Sequence, residues 1–116
     1  MSRQQGSKAE STAMNSLLAS GHKLIAQNFT CRGGEIDLIT FDGKFLVFSE
    51  VKARSNCHFG HPAEFVDKRK QQKIIYSAKN FLHRHPVWHT YPMRFDVICV
   101  FLENDTIEII EDAFTL

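Results

Sequence analysis

Asp37, Glu50 and Lys52 are the residues whose types and spacing most directly offer chemistry. They lie in one stretch, Gly34 to Arg54, reading GEIDLITFDGKFLVFSEVKAR. Two β-rich runs flank Asp42-Gly43, a favoured two-residue hairpin turn. With that pair as the loop, Glu35 falls opposite Glu50, Asp37 opposite Phe48, and Ile39 opposite Leu46. Opposed residues share a face, and side chains alternate along a strand. Glu35, Asp37, Glu50 and Lys52 are therefore expected on one face. Ile36, Leu38, Phe45, Val47 and Val51 are expected on the other.

Three carboxylates crowded into apolar strands are unfavourable, because like charges repel and burial penalises the ionised form. A divalent cation removes that difficulty. Carboxylate oxygens are the ligands Mg²⁺ prefers, and its remaining positions hold water, the nucleophile needed for phosphodiester hydrolysis. An amine on the same face, Lys52, can orient or deprotonate that water, or steady charge on the phosphate. The plainer alternative is a solvated sheet face with an ordinary Glu35–Lys52 or Glu50–Lys52 pair. A bulge or a longer loop would also shift the register.

Several elements must position these groups. Residues 1–7 (MSRQQGS) read as a loose polar start, followed by a single domain over 8–116. Ala9, Ala13, Leu17 and Leu18 recur at helical spacing from Lys8 to Ser20, and Gly21 supplies a stop. Leu24 to Cys31 reads as a strand. A loop from Ser55 to His61 leads to a helix from Pro62 or Ala63 to His83. Its apolar stripe is Val66, Ile74, Ala78, Phe81 and Leu82, and its wet face carries Lys68, Arg69, Lys70 and Lys73. His85-Pro86 ends it. Met93–Leu102 and Thr106–Ile110 read as strands around an Asn104-Asp105 turn. The order α-β-β-β-α-β-β argues an α/β domain with one mixed sheet and helices packed on it.

Composition narrows the function classes. With 116 residues and 43% hydrophobic content, ten Phe among them, the chain suits one domain with a real core. Its formal net charge of +1 argues against a protein that coats DNA through a global positive field, so nucleic-acid binding must come from a local patch. Cys31, Cys57 and Cys99 are odd in number and widely spaced, which points to reduced thiols. Without an apolar leader or a run of roughly 20 apolar residues, the expectation is a cytoplasmic protein that does not enter a membrane.

The motifs resemble a known family. Ala9-Glu10-x-x-Ala13, Asn28, Gly34-Glu35-Ile36-Asp37-Leu38-Ile39, Val47-Phe48, Glu50-Val51-Lys52-x-Arg54, Phe59-Gly60-x-Pro62, Lys70 and Arg94-Phe95-Asp96-Val97-Ile98 together resemble the YraN family. Those bacterial proteins are viewed as relatives of PD-(D/E)xK nucleases, among them restriction endonucleases and archaeal Holliday-junction resolvases. The resemblance runs from about Gly6 to Phe114. Ala9 stands where the family usually has Gly, and Ser49 where a Val is common. The resemblance implies a restriction endonuclease-like fold, a central mixed sheet of about five strands flanked by helices. It implies Asp37 and Glu50 as ligands of Mg²⁺ or Mn²⁺, the Val51 carbonyl as a third, and Lys52 as the catalytic lysine. It also matches Glu10, on the first helix, to an acidic residue that resolvases add to this centre.

The expected function is metal-dependent cleavage of nucleic-acid phosphodiesters, with DNA favoured over RNA and branched or structured DNA as one substrate. The alternative is a nucleic-acid-binding or adaptor module of weak activity. Glu35 is a further ligand or a residue that orients one. Arg54, Lys70 and Lys73 are candidates for phosphate contact, and a homodimer would pool two basic faces. A zinc site from Cys57, His58, His61, His83, His85 and His89 is disfavoured by ligand spacing, and His83-Arg84-His85 reads better as a helix end. Asp96 is expected to anchor a turn or a side chain. Trp88 and Tyr91 either cover the sheet edge or stack on bases, the first being favoured.

Overall fold

The computed structural model describes residues 3–54 and 66–115. Helix α1 spans Arg3–Ala19, and strands β1, β2 and β3 span Lys23–Cys31, Gly34–Phe41 and Leu46–Arg54. Helix α2 spans Lys68–Arg84 and is followed by a 3₁₀ turn, Pro86–Thr90. Strands β4 and β5, Met93–Phe101 and Thr106–Phe114, complete the order expected from the sequence. The five strands form one sheet in the order β1-β2-β3-β4-β5. The β3–β4 pair is parallel and the other three are antiparallel, so the sheet is mixed. A parallel pair needs a crossover, and α2 lies within it.

Each helix docks through the stripe its sequence provides. Ala9, Ala13 and Leu17 of α1 bury against Leu38, Val51, Ala53, Ile98 and Val100. Leu18 points away and is exposed. Ile74, Ala78, Phe81 and Leu82 of α2 bury on the other side against Ile39, Leu46, Phe48, Phe95 and Val97. The sheet is thus covered on both faces, and β3 and β4 are buried along most of their length. Phe48 anchors the α2 layer, stacked on Phe95 at 5.5 Å between centroids and edge-on to Phe81 at 6.2 Å.

Several boundaries differ from the sequence reading. Helix α1 starts at Arg3 instead of Lys8. Polar residues carry no amphipathic signal, yet they can extend a helix already docked through Ala9 and Ala13. Val66 and Asp67 precede α2, because Asp67 is its N-cap and accepts the Lys70 N–H at 2.8 Å. The other part of the expected earlier start, residues 62–65, lies outside the described residues. So do Cys57, His58, His61 and the Phe59-Gly60-x-Pro62 motif. Strand β5 runs on to Phe114, past the expected Ile110.

The hairpin register also differs. Ile39 pairs with Phe48 and Phe41 with Leu46, two residues away from the expected pairing. The cause is a longer turn. Asp42 Oδ1 accepts the N–H groups of Lys44 (2.8 Å) and Phe45 (2.6 Å), which takes both residues into the loop. A displacement by an even number leaves every β3 face unchanged. Ile36 is the exception, for it packs with Phe48 and not with Leu38 and Val51. Alternation breaks between Ile36 and Leu38, beside Asn28 on β1, whose φ of 52° is left-handed.

Arg94 and Asp96 tie strand ends together at one end of the sheet. The Arg94 guanidinium donates to both Asp96 carboxylate oxygens at 2.9 Å, reaches Asp42 at 3.3 Å, and lies 5.3 Å from the Phe45 ring centroid. Asp96, 2% exposed, also accepts the Asp112 N–H at 3.0 Å, where β5 turns through a left-handed residue. Asp96 therefore anchors both a backbone turn and a side chain. Trp88 and Tyr91 pack on Phe41 at 5.3 and 4.9 Å, covering the end of β2. His83 and Arg84 occupy the last turn of α2, and His85 caps it through its backbone N–H. Replacing Asp96 by Asn should cost about 3 kcal/mol, since it leaves the Arg94 charge largely buried without its bidentate partner. Urea denaturation would measure it, and an unchanged midpoint would contradict this role.

Candidate active site

The candidate site lies where β2 and β3 part. Their ladder covers only Leu38–Phe41 against Leu46–Ser49. Beyond it, β2 continues on β1 alone and β3 continues on β4 alone. The next residues into this fork are Asp37 and Glu50. Here the Val51 N–H donates to Asp37 Oδ2 at 2.8 Å. A carboxylate thus takes a donor in the region where strand pairing stops.

Four elements bring charge to the fork. Glu50 follows Leu46 and Phe48 along one face of β3, and its side chain is only 7% exposed. Two ammonium groups share its Oε1, Lys52 Nζ at 3.3 Å and Lys70 Nζ at 3.4 Å. The Glu50–Lys52 pair of the plainer alternative is therefore present, but on a buried carboxylate and not on a solvated face. Lys70 sits in the first turn of α2, where the Asp67 cap fixes its backbone. Glu10 arrives from α1 between the buried residues Ala9 and Ala13, and its buried Oε1 has no hydrogen-bond partner. Glu35 is exposed beside the same centre.

Two of the carboxyl groups respond to their burial and to the neighbouring charges. Burial, with the Glu50 charge next in weight, pushes the Asp37 carboxyl up to about 7, against the pull of the Val51 N–H. Glu10 and Glu35 add to the rise. The Glu10 carboxyl is also raised, first by burial and then by Glu35 and Glu50. Four carboxylates against two ammonium groups leave a formal charge of −2 when all are ionised, the charge one divalent cation would neutralise.

Oxygen is the only donor type these side chains offer, which suits a hard cation such as Mg²⁺ or Mn²⁺ better than zinc. The orphaned Glu10 oxygen fits the same need. Among the described residues, however, no three His, Cys, Asp or Glu side chains stand close enough to hold an ion as they are. Loading would require the Glu50 carboxylate to exchange its lysine partners.

The remaining candidates lie around this centre. Val51 contributes its N–H to Asp37, while its side chain packs under α1. Arg54, at the end of β3, donates to the Ala53 carbonyl at 2.8 Å. Lys73 and Lys70 line an open pocket of about 490 Å³ with Glu35, Gly33 and Gly34. Lys68 and Arg69 are on the exposed face of α2. The pairing of Lys70 with Glu50 was not visible in the sequence, where Lys70 reads as one cation in a wet run. The Asp67 cap was the available signal, for it dates the helix start and so puts Lys70 in the first turn. No helix among the described residues is long and apolar enough to cross a membrane.

The sequence profile of the family described as "Uncharacterised protein family UPF0102" matches residues 9–100. The chain belongs to this family. UPF0102 is the YraN family that the motifs resemble, and the matched span takes in Glu10 and every other candidate residue. A UPF0102 protein of Pseudomonas fluorescens (strain Pf0-1) is 40% identical over 111 residues, covering 96% of this chain and 92% of that one. One from Legionella pneumophila (strain Corby) is 39% identical over 114 residues, covering 98% and 97%. One from Pseudomonas syringae pv. tomato is 44% identical over 98 residues, covering 84% and 77%.

The raised Asp37 gives a pH signature. Its folded value lies above its unfolded one, so the stability it contributes is present below the ordinary carboxylate range and lost as pH rises through about 7. In metal-free protein, Asp37→Asn should raise Tm at pH 8 by about 5 °C, roughly the effect of 1 kcal/mol in a domain of this size. The difference should vanish near pH 4, where Asp37 is already neutral. Thermal melts at both pH values check this, and equal shifts at both would contradict the buried-charge account.

Proposed function

We propose that this UPF0102 protein is a divalent-metal-dependent nuclease domain with a restriction endonuclease-like fold of the PD-(D/E)xK type. One observation carries the reading: Glu10, Asp37 and Glu50 converge from three elements on one fork together with Lys52, at the cost of raised carboxyl groups and an orphaned buried oxygen. Nothing in packing requires that arrangement. A site that binds a cation gives it a reason.

In this reading Asp37 and Glu50 hold Mg²⁺ or Mn²⁺, with the Val51 carbonyl and Glu10 completing the donor set and Glu35 at its margin. Such an ion, when bound, supplies Lewis acidity at a phosphate and lowers the pKa of a water. The chain's own groups do the rest. Lys52, held beside Glu50 at 3.3 Å, stands where it can orient a water or offset charge on the phosphate. The Val51 N–H fixes the Asp37 carboxylate in one orientation. In the same reading Arg54, Lys70 and Lys73 position a phosphate backbone. The substrate we favour is DNA, branched or structured, and a homodimer would double the basic surface of a chain whose net charge is only +1.

A second reading, a nucleic-acid-binding module of weak activity, is favoured by one observation, the two lysines that occupy the Glu50 oxygen. Cleavage assays separate the two. Single-stranded, duplex, flap and four-way DNA should be cut with Mg²⁺ or Mn²⁺ and spared with chelator. Asp37→Ala should abolish cutting, and Lys52→Ala should slow it by about a hundredfold or more. Cleavage that survives both substitutions would point to a contaminant. Binding by the parent with no cleavage under any condition would favour the second reading.

A further inference from the structure

Lys70 stands between a buried carboxylate and an open pocket. On one side is Glu50 Oε1, 3.4 Å from its Nζ and already 3.3 Å from Lys52 Nζ. On the other is the open pocket of about 490 Å³ between the β1–β2 turn and α2, lined by Lys70, Lys73, Glu35, Gly33 and Gly34. That pocket has little room to change its backbone. A Cβ on Gly34 would run into the Ser77 hydroxyl and lie 3.1 Å from the Lys73 carbonyl, so the turn sits directly on the helix.

Charge decides what the pocket can hold. While Lys70 neutralises Glu50, the pocket offers Lys73 against Glu35 and no net attraction for an anion. With Lys70 turned into it, two ammonium groups one helical turn apart face a single carboxylate, and the pocket becomes a phosphate site. Lys70 is free to make that turn. Its side chain is 39% exposed, against 23% for Lys52 and 7% for Glu50. A pair with a partner this exposed is weakly held, and its four-carbon stem has many rotamers. A divalent ion at Glu50 would compete with the lysines for that oxygen.

We propose that Lys70 is exchanged between the two places: it holds Glu50 in the metal-free protein and, once a divalent cation takes that carboxylate, turns into the neighbouring pocket to bind a phosphate of a nucleic-acid strand beside Lys73. This deepens the nuclease reading and rests on it. It makes cation and nucleic acid bind cooperatively, since each removes an obstacle to the other, and such coupling is reciprocal. It also separates the two lysines on Glu50: Lys52 remains at the site, whereas Lys70 leaves it.

Two measurements on the full chain test this without any cleavage. In Mn²⁺ titrations followed by electron paramagnetic resonance, Lys70→Ala should tighten Mn²⁺ binding about two- to fivefold, the range a partly exposed ion pair is worth. Lys73→Ala should leave it unchanged. In fluorescence anisotropy with labelled single-stranded DNA, Lys70→Ala should weaken binding in Ca²⁺ but not in chelator, whereas Lys73→Ala should weaken it in both. Mn²⁺ affinity that falls or stays level in Lys70→Ala would overturn the exchange, as would an equal loss of DNA binding with and without Ca²⁺. Either result leaves the nuclease reading standing if Asp37→Asn still abolishes Mn²⁺ binding. Mn²⁺ binding that is absent from the parent, or indifferent to Asp37→Asn, would overturn that reading and the exchange together.

Discussion

The short ladder between β2 and β3 is the constraint on which the rest depends. Four residue pairs hold the hairpin together, and then the strands separate. A continuous ladder would have set Asp37 directly opposite Glu50 with no room between them. Separation opens a gap in the middle of a covered sheet, and the Val51 N–H, turned to the Asp37 carboxylate, gives the gap a fixed edge. Because the gap passes through the sheet layer, groups from both sides reach it: Glu10 from under α1, and Lys70 from α2.

The two ends of the hairpin do opposite things electrostatically. At the turn, Asp42 has its carboxyl held low: burial would raise it, but the Phe45 and Lys44 N–H groups, then Arg94, outweigh that. Arg94 with Asp96 and Asp42 forms a compact, satisfied network. At the fork, two lysines and one N–H only partly offset burial and mutual repulsion, and the carboxyl groups of Glu10 and Asp37 rise. Similar residue types thus stabilise one end of the sheet and strain the other. Local rules are commonly broken where a chain keeps a function that stability alone would remove.

Much of this was legible in the sequence. The element order, the mixed sheet, the stripes of both helices and the shared face of Glu50 with Lys52 follow from periodicity, which is robust because one apolar face must be buried. The turn is longer than the sequence suggests: Asp42-Gly43 satisfies a two-residue rule, but the Asp42 side chain captures two further N–H groups. Ile36 departs from the period of two, for it lies in a different layer from Leu38 at a point where β1 carries the left-handed Asn28. The role of Lys70 is not legible in the sequence, because its partner Glu50 is distant along the chain, across a segment with no periodic signal. Asp96 was understood, since an acid buried among Phe95 and Val97 must find donors.

The hairpin turn has a further consequence for sequence change. Because side chains alternate by two, insertions or deletions that the ladder absorbs in pairs move each strand along its neighbour yet return every carboxylate and amine to the same layer. An odd step would roll β3 over, sending Glu50 and Lys52 into the layer under α1 and Val51 into the layer under α2. Register at this hairpin is therefore quantised: a slip of two keeps the chemistry of β3 in its layer, and a slip of one removes it.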